Sequence, residues 1–105
     1  LLAHDDSRAA LGRLRHLLVG GEALPAPLAR ELKGLAPRVT SMYGPTETTI
    51  WSSTQEVSGE EAGTVGLGAP LLNTTFHVLG DAMEERPFGE EGELWIGGAG
   101  VAKGY

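Results

Sequence analysis

Glu47 is the one carboxylate in the stretch SMYGPTETTIW (Ser41 to Trp51), where it stands among hydroxyls with an aromatic ring on either side. Ordinary turns are built from Gly, Pro, Asn and Asp for backbone reasons and seldom use this composition. Each residue type here has a chemistry. Tyr43 can stack on a base. The Thr46 hydroxyl can reach a phosphate oxygen, and the N–H groups of a tight turn can form an anion nest around it. Glu47 can offer one carboxylate to Mg²⁺, an ion that takes one or two carboxylates together with substrate phosphates and water. The same letters also describe a Pro-started helical turn in which Thr46 and Glu47 merely cap. By mechanism alone the two readings weigh the same.

A second stretch, LLVGGEALP, ends a strand pattern in Gly20-Gly21 and leads into a helix. In α/β sheets ligands sit beyond the carboxyl ends of strands, and glycines there let a planar ring or a phosphate approach the backbone. A plain strand-to-helix loop explains the same glycines and, taken alone, is the better explanation. GELWIGGAGVAKGY reads as a glycine-bulged hairpin with Lys103 as a solvated charge. His4, His16 and His77 stand without metal-ligand spacing, His77 reads as structural, and no Ser-His-Asp set assembles.

The elements that must position these residues alternate in the first half. DDSRAALGRL suggests a short helix capped by Asp5, Asp6 or Ser7. RHLLVG is a short buried-strand pattern. PAPLARELKG reads as a helix with Pro25 in its first turn, Gly34 as its stop, and Leu24, Leu28, Leu32 and Leu35 at helical spacing. RVTSMY is a second strand. A strand-helix-strand unit of this length implies parallel strands, so the GGEA and YGPTE loops are expected on one side of the sheet. After the polar linker SGEEAG the character changes: TTFHVLG and ELWIGG alternate like half-buried strands, with an acidic turn between them. The expected fold class is therefore α/β: a βαβ portion of a parallel, flavodoxin-like layer (1–58), then part of a mostly antiparallel, β-barrel-like subdomain (59–105).

The bulk numbers exclude some functions. Net charge is −6, from 14 acidic and 8 basic residues, with no basic stripe for nucleic acid or an anionic membrane. Cysteine is absent, so there is no disulfide framework or thiolate metal site, which fits a cytoplasmic setting. No apolar run approaches the about 18 residues of a membrane span. The chain opens at Leu1 without methionine and closes at Tyr105 on a glycine-rich pattern, as a piece of a longer polypeptide would.

LLVGGEALP, MYGPTETTIW and GELWIGGAGVAKGY, in this order and at about these distances, resemble the adenylation domains of nonribosomal peptide synthetases, relatives of acyl-CoA ligases and luciferases. The resemblance covers essentially the whole chain. It implies activation of an amino acid by Mg·ATP to aminoacyl-AMP, then transfer to the phosphopantetheine thiol of a carrier domain. It further implies that Tyr43 stacks on adenine, that Thr46 contacts the α-phosphate and that Glu47 holds Mg²⁺, making Thr46 and Glu47 the catalytic pair. Gly21, Glu22 and Ala23 would border the adenine, and Ser41, Met42, Gly44 and Pro45 complete the cofactor-binding set, with Gly44 a close-approach glycine. The family usually has Asn where Ser41 stands, so the shorter side chain loses the adenine contact or bridges it through water.

Positions matching the family's substrate pocket are Leu18, Gly20, Met42, Ile50 and Trp51. They carry no charge and are mostly large, so the resemblance implies a small amino acid, glycine favoured over cysteine. The family's phosphate loop, ribose-binding Asp and catalytic lysine are not found in these residues, and Lys103 is not that lysine. The implied partners are the remaining adenylation subdomains and the carrier and condensation domains of a parent synthetase, with no nucleic acid and no membrane. The isolated 105 residues are expected to be inactive and stable only within a parent. Two alternatives stay open: an acyl- or aryl-CoA ligase of the same superfamily, and a non-catalytic scaffold piece.

Overall fold

A computed structural model of the chain describes residues 4–104. Leu1–Ala3 and Tyr105, the last letter of the GVAKGY pattern, lie outside the described residues. The chain divides into two compact units. The first comprises residues 1–43 and 53–69, the second residues 44–52 and 70–105.

In the first unit, α1 (Asp5–Leu11) is followed by β1 (His16–Gly20), α2 (Ala26–Leu35), β2 (Arg38–Tyr43) and β3 (Ser53–Glu56). β1 and β2 are parallel, in a register that sets Leu17 beside Val39 and Gly20 beside Met42. β3 returns antiparallel to β2, with Tyr43 paired to Ser53 and Thr40 to Glu56. The sheet order is β1-β2-β3-β4, where β4 is the two-residue Ala69–Pro70. Proline suits that place, because an edge strand can spare a ladder donor. β1 forms the opposite edge among the described residues.

The core sits between α2 and this sheet. Leu24, Ala29, Leu32, Ala36, Val39, Val57 and Val65 form one buried cluster, with Leu17 and Val19 packed against it. α2 buries Ala26, Ala29 and Leu32, whereas Leu28 stays exposed. The helix is thus seated by small residues as much as by the leucine row its spacing suggested.

Three local expectations are corrected. His4, not Asp5, Asp6 or Ser7, is the N-cap of α1, and it makes no side-chain cap bond. Asp5 and Asp6 lie in the first turn instead, where they complement the helix dipole. Pro25 is the N-cap of α2 rather than a first-turn residue. Gly34 does not stop α2, which runs to Leu35 and is capped by Ala36 in extended conformation. Pro37 explains this, since the residue before a proline is pushed out of the α region. β3 had no counterpart in the expected elements, because its residues, Ser-Thr-Gln-Glu, carry no apolar alternation.

Residues 58–63, the expected linker, belong to the first unit. The Glu61 carboxylate accepts from the Ser58 N–H (2.6 Å), the Ser58 hydroxyl and the Gly59 N–H. The next residues cover the start of α2: Ala26 N–H donates to Gly63 C=O at 2.8 Å, and Val65 N–H to Leu24 C=O at 2.9 Å.

In the second unit, β5 (Thr74–Leu79) and β6 (Glu93–Gly98) pair antiparallel, with Phe76 beside Ile96 and Val78 beside Leu94. Phe76, Leu94 and Ile96 are half-buried, as alternation required. This is a two-stranded sheet, and no barrel closes among the described residues. The acidic turn between the strands folds around Arg86, which pairs with Glu90 at 2.8 Å and donates to the Glu91 C=O.

Two outcomes are expected. Ala29 is fully buried, so Ala29→Leu in the protein that carries this chain should lower stability by about 1–3 kcal/mol through overpacking, read by denaturant unfolding. The hydrogen bond from the Ser58 N–H holds the Glu61 carboxyl below the usual carboxylate value, against partial desolvation. A depressed folded pKa contributes stability that is complete above the unfolded value and disappears as pH falls through the folded one. Glu61→Gln should therefore lower stability at neutral pH and flatten the acid limb below about pH 4.5, the ordinary value for this carboxyl. Thermal melts across pH 3–7 would check it.

Candidate functional site

Because β1 and β2 run parallel and in register, their carboxyl ends lie side by side at Gly20 and Met42. Gly21 follows β1 at φ 105°, a conformation that favours glycine. Glu22 and Ala23 are exposed, and the chain re-enters the core only at Leu24. Ser41 lies between Val19 and Gln55 in the sheet, and Ser41, Met42 and Tyr43 are half-buried. Leu18 is 58% exposed. The first unit thus presents Gly20–Ala23 and Met42–Tyr43 at one end of two neighbouring strands.

The carboxylate turn belongs to the second unit. Pro45, at φ −75° and ψ 159°, enters a single 3₁₀ turn over Thr46–Thr48 that has no side-chain cap. Thr48 is buried, and its Oγ1 lies 3.1 Å from the Pro45 C=O and 2.6 Å from the Ser52 hydroxyl. Ser52 is buried as well. A pair of hydroxyls that satisfy each other inside the fold is worth keeping, since either one left alone would cost its desolvation. Thr48 and Ser52 therefore tie the turn together, and Thr46 and Glu47 are exposed.

Gly44 is a close-approach glycine, and what approaches is the chain itself. A Cβ there would run into the Ile50 carbonyl and lie 2.6 Å from the Trp51 Cα. Ile50 and Trp51 are 65% and 38% exposed, so neither serves as core.

Sequence reasoning missed the other wall of this turn. Ala102 N–H donates to the Glu47 C=O at 2.7 Å, and the Thr49 hydroxyl donates to the Gly100 C=O at 2.7 Å. Thr46, Glu47, Val101, Ala102 and Gly104 line a recess of about 150 Å³. The segment after β6 is thus a support for the turn rather than the free end of a hairpin. Its small residues, Gly100 and Ala102, were the available signal, since bulk there would exclude such packing. A larger hollow of about 560 Å³ lies over the acidic turn around Arg86 and shares no residue with this recess. Its arginine is already paired with Glu90.

Among the described residues no three His, Asp or Glu side chains cluster as a metal cage. One exposed carboxylate beside an exposed hydroxyl fits Mg²⁺ delivered with phosphates, which needs no cage. His16 Nε2 contacts the Thr40 hydroxyl at 2.7 Å and His77 Nδ1 contacts Glu85 at 2.9 Å, and neither histidine lies in these loops. Among the described residues no helix is long and apolar enough to cross a membrane.

Loops at the carboxyl ends of parallel strands define an α/β segment of the ligand-binding kind. The chain belongs to the AMP-binding enzyme family, whose pattern matches residues 1–105. It is 47% identical over 89 residues to a dimodular nonribosomal peptide synthase of Bacillus subtilis strain 168, covering 85% of this chain and 4% of that protein. A solved four-domain nonribosomal peptide synthetase bound to AMP and glycine is 45% identical with a TM-score of 0.78, over 84% of this chain and 6% of that one. An adenylation domain from Vibrio cholerae, solved with glycyl-adenosine-5'-phosphate, is 27% identical with a TM-score of 0.78, over 88% of this chain and 19% of that one. The chain thus spans a small part of the relatives it matches.

Gly44→Ala should fail by collision, because backbone cannot move aside as a side-chain tip can. A loss of about 1–3 kcal/mol is expected, with disorder confined to residues 44–52. Gly21→Ala has open space around its Cβ and should suffer only from its positive φ. Comparing the unfolding midpoints of the two variants tests the distinction.

Proposed function

We propose that this chain is the part of an amino-acid-activating adenylation domain that holds the nucleotide and faces the substrate side chain. The observation that carries the reading is the turn itself: Thr48 and Ser52 hold it from inside, and Thr46 and Glu47 stand exposed beside a small recess. In this reading Tyr43 stacks on adenine, and Gly21, Glu22 and Ala23 border its edge. Ser41, Met42, Gly44 and Pro45 complete the nucleotide's surroundings.

The amino acid carboxylate attacks the α-phosphorus of ATP. A P–O bond to the carboxylate forms as the bond to pyrophosphate breaks, giving aminoacyl-AMP. The Thr46 hydroxyl donates to an α-phosphate oxygen, where negative charge is concentrated as the bonds exchange. Glu47 is the residue that would hold Mg²⁺. When bound, that ion neutralises phosphate charge. In the second half-reaction the phosphopantetheine thiol of a carrier domain attacks the acyl carbon and AMP leaves. The remaining adenylation subdomains and the condensation domain of a synthetase are the other partners.

Leu18, Gly20 and Met42 in the first unit and Ile50 and Trp51 in the second are the residues we assign to the substrate side chain. None is charged, so a charged substrate would be left without a partner. Their bulk favours a small amino acid, and glycine is the substrate we propose. Two of the relatives described above were solved with glycine or its adenylate, which supports that choice.

Amino-acid-dependent ATP–pyrophosphate exchange by the protein that carries this chain tests the reading. Glycine should drive exchange best, the isolated 105 residues should drive none, and Glu47→Gln should lower the rate on the order of a hundredfold or more. A large or charged amino acid as best substrate would overturn the pocket assignment. An aryl or fatty acid in that place would move the protein to the ligase branch. No exchange with any acid would favour a scaffold role.

A further inference from the structure

Thr49 and Ile50 carry the most unusual backbone of the carboxylate turn. Their φ angles are 60° and 66°, and both are β-branched, the kind of residue for which positive φ is a genuine outlier. Trp51 N–H donates to the Thr49 C=O at 2.8 Å, spanning a single residue. Ile50 is therefore the centre of a γ-turn with positive φ, the rare and strained form. Backbone of this kind persists where the surroundings over-determine it, and it gathers at functional sites.

Burial does not hold it, since Ile50 and Trp51 are both exposed. Three other features do. The Ile50–Trp51 backbone lies against Gly44, where a side chain would not fit. The Thr48 and Ser52 hydroxyls join across the base of the turn. The Thr49 hydroxyl donates to the carbonyl of Gly100, a residue far along the chain. The first confines the backbone of Ile50 and Trp51, the second braces the residues that flank the strained pair, and the third grips Thr49 by its side chain. Its anchor is also firm. Gly100 lies two residues before Ala102, whose N–H is bonded to the Glu47 C=O, and a Cβ on Gly100 would crowd the Thr48 carbonyl at 3.1 Å.

Resting on the assignment of Ile50 and Trp51 to the substrate side chain, we propose that Thr49 is a positioning residue for amino acid selection: its hydroxyl, bonded to the Gly100 carbonyl, holds the γ-turn that aims Ile50 and Trp51. The hydroxyl touches no substrate in this role. It keeps two exposed apolar side chains in one direction, and without it the turn relaxes toward negative φ and both directions change. Selection then loosens, while the nucleotide contacts, made by other residues, keep their strength.

The test uses Thr49→Val and Thr49→Ser in the protein that carries this chain. Valine keeps the shape and the β-branch and removes the donor, whereas serine keeps the donor. Two quantities are read: amide hydrogen exchange over residues 44–52, and the ratio of kcat/KM for glycine to that for alanine in pyrophosphate exchange. Thr49→Val should speed amide exchange in this segment and lower the glycine-to-alanine ratio, each by about three- to tenfold, within the range of one lost neutral hydrogen bond. The KM for ATP should stay within about twofold, since one such bond lost elsewhere should not reach the nucleotide contacts. Thr49→Ser should restore both quantities. An unchanged ratio in Thr49→Val overturns the proposal. So does a joint loss of ATP affinity, amino acid affinity and melting temperature, which would mark a merely structural threonine. Wild-type protein silent toward every amino acid would remove the substrate assignment and this proposal with it. The amide measurement would then still report whether the Thr49 bond holds the turn, so the two failures are told apart.

Discussion

Tyr43 is paired with Ser53 across antiparallel strands, and that pairing constrains everything between them. The chain must leave the sheet after Tyr43, present its chemistry, and return within residues 44–52. A loop closed so tightly has few conformations left. It uses Gly44 to let its own backbone pass, Pro45 to set the entry angle, and two residues at positive φ to turn back. The hydroxyls between Gly44 and Ser52 thus have two duties. Thr48 and Ser52 close the loop from inside, and Thr46 is left outward.

This loop reverses the usual partition of residues. Its buried side chains are polar, Thr48 and Ser52, and its large apolar ones, Ile50 and Trp51, stand in solvent. A segment selected for stability alone would place them the other way, since burying an apolar side chain is favourable and burying a hydroxyl costs its desolvation unless a hydrogen bond offsets it. In the proposed reading, the inversion is what distinguishes this loop from one that only connects strands. It depends on the two hydroxyls meeting at 2.6 Å, which satisfies Ser52, while Thr48 also donates to the Pro45 C=O.

Periodicity made α2, β5 and β6 legible, whereas β1 was read from a short apolar run and β2 from its β-favouring residues. β3 was hidden because a polar strand paired on both sides shows no alternation, as Ser53 illustrates: it is fully buried yet donates its hydroxyl to Leu67 C=O. The end of α2 was misplaced because Pro37 outweighs Gly34, a contest that composition alone does not decide. At the candidate site the residue types were readable, whereas their supports were not. Nothing local in TETT or GAGVA announces that Thr49 and Gly100 meet, since that bond spans most of the second half of the chain. Long-range hydrogen bonds between small residues leave no periodic trace.

The segment from Gly63 to Val65 looks in sequence like the tail of a linker, yet it serves as a lid on the first turn of α2. It takes the Ala26 N–H and places Val65 in the core. Cutting the chain there and joining another stretch in its place would expose that dependence. A splice at the acidic run 58–61 would leave α2 with an exposed, unsatisfied beginning and a gap where Val65 had been. The incoming stretch would have to bring its own lid, so a joint that keeps the first unit whole lies farther along, past the short β4 at Ala69–Pro70.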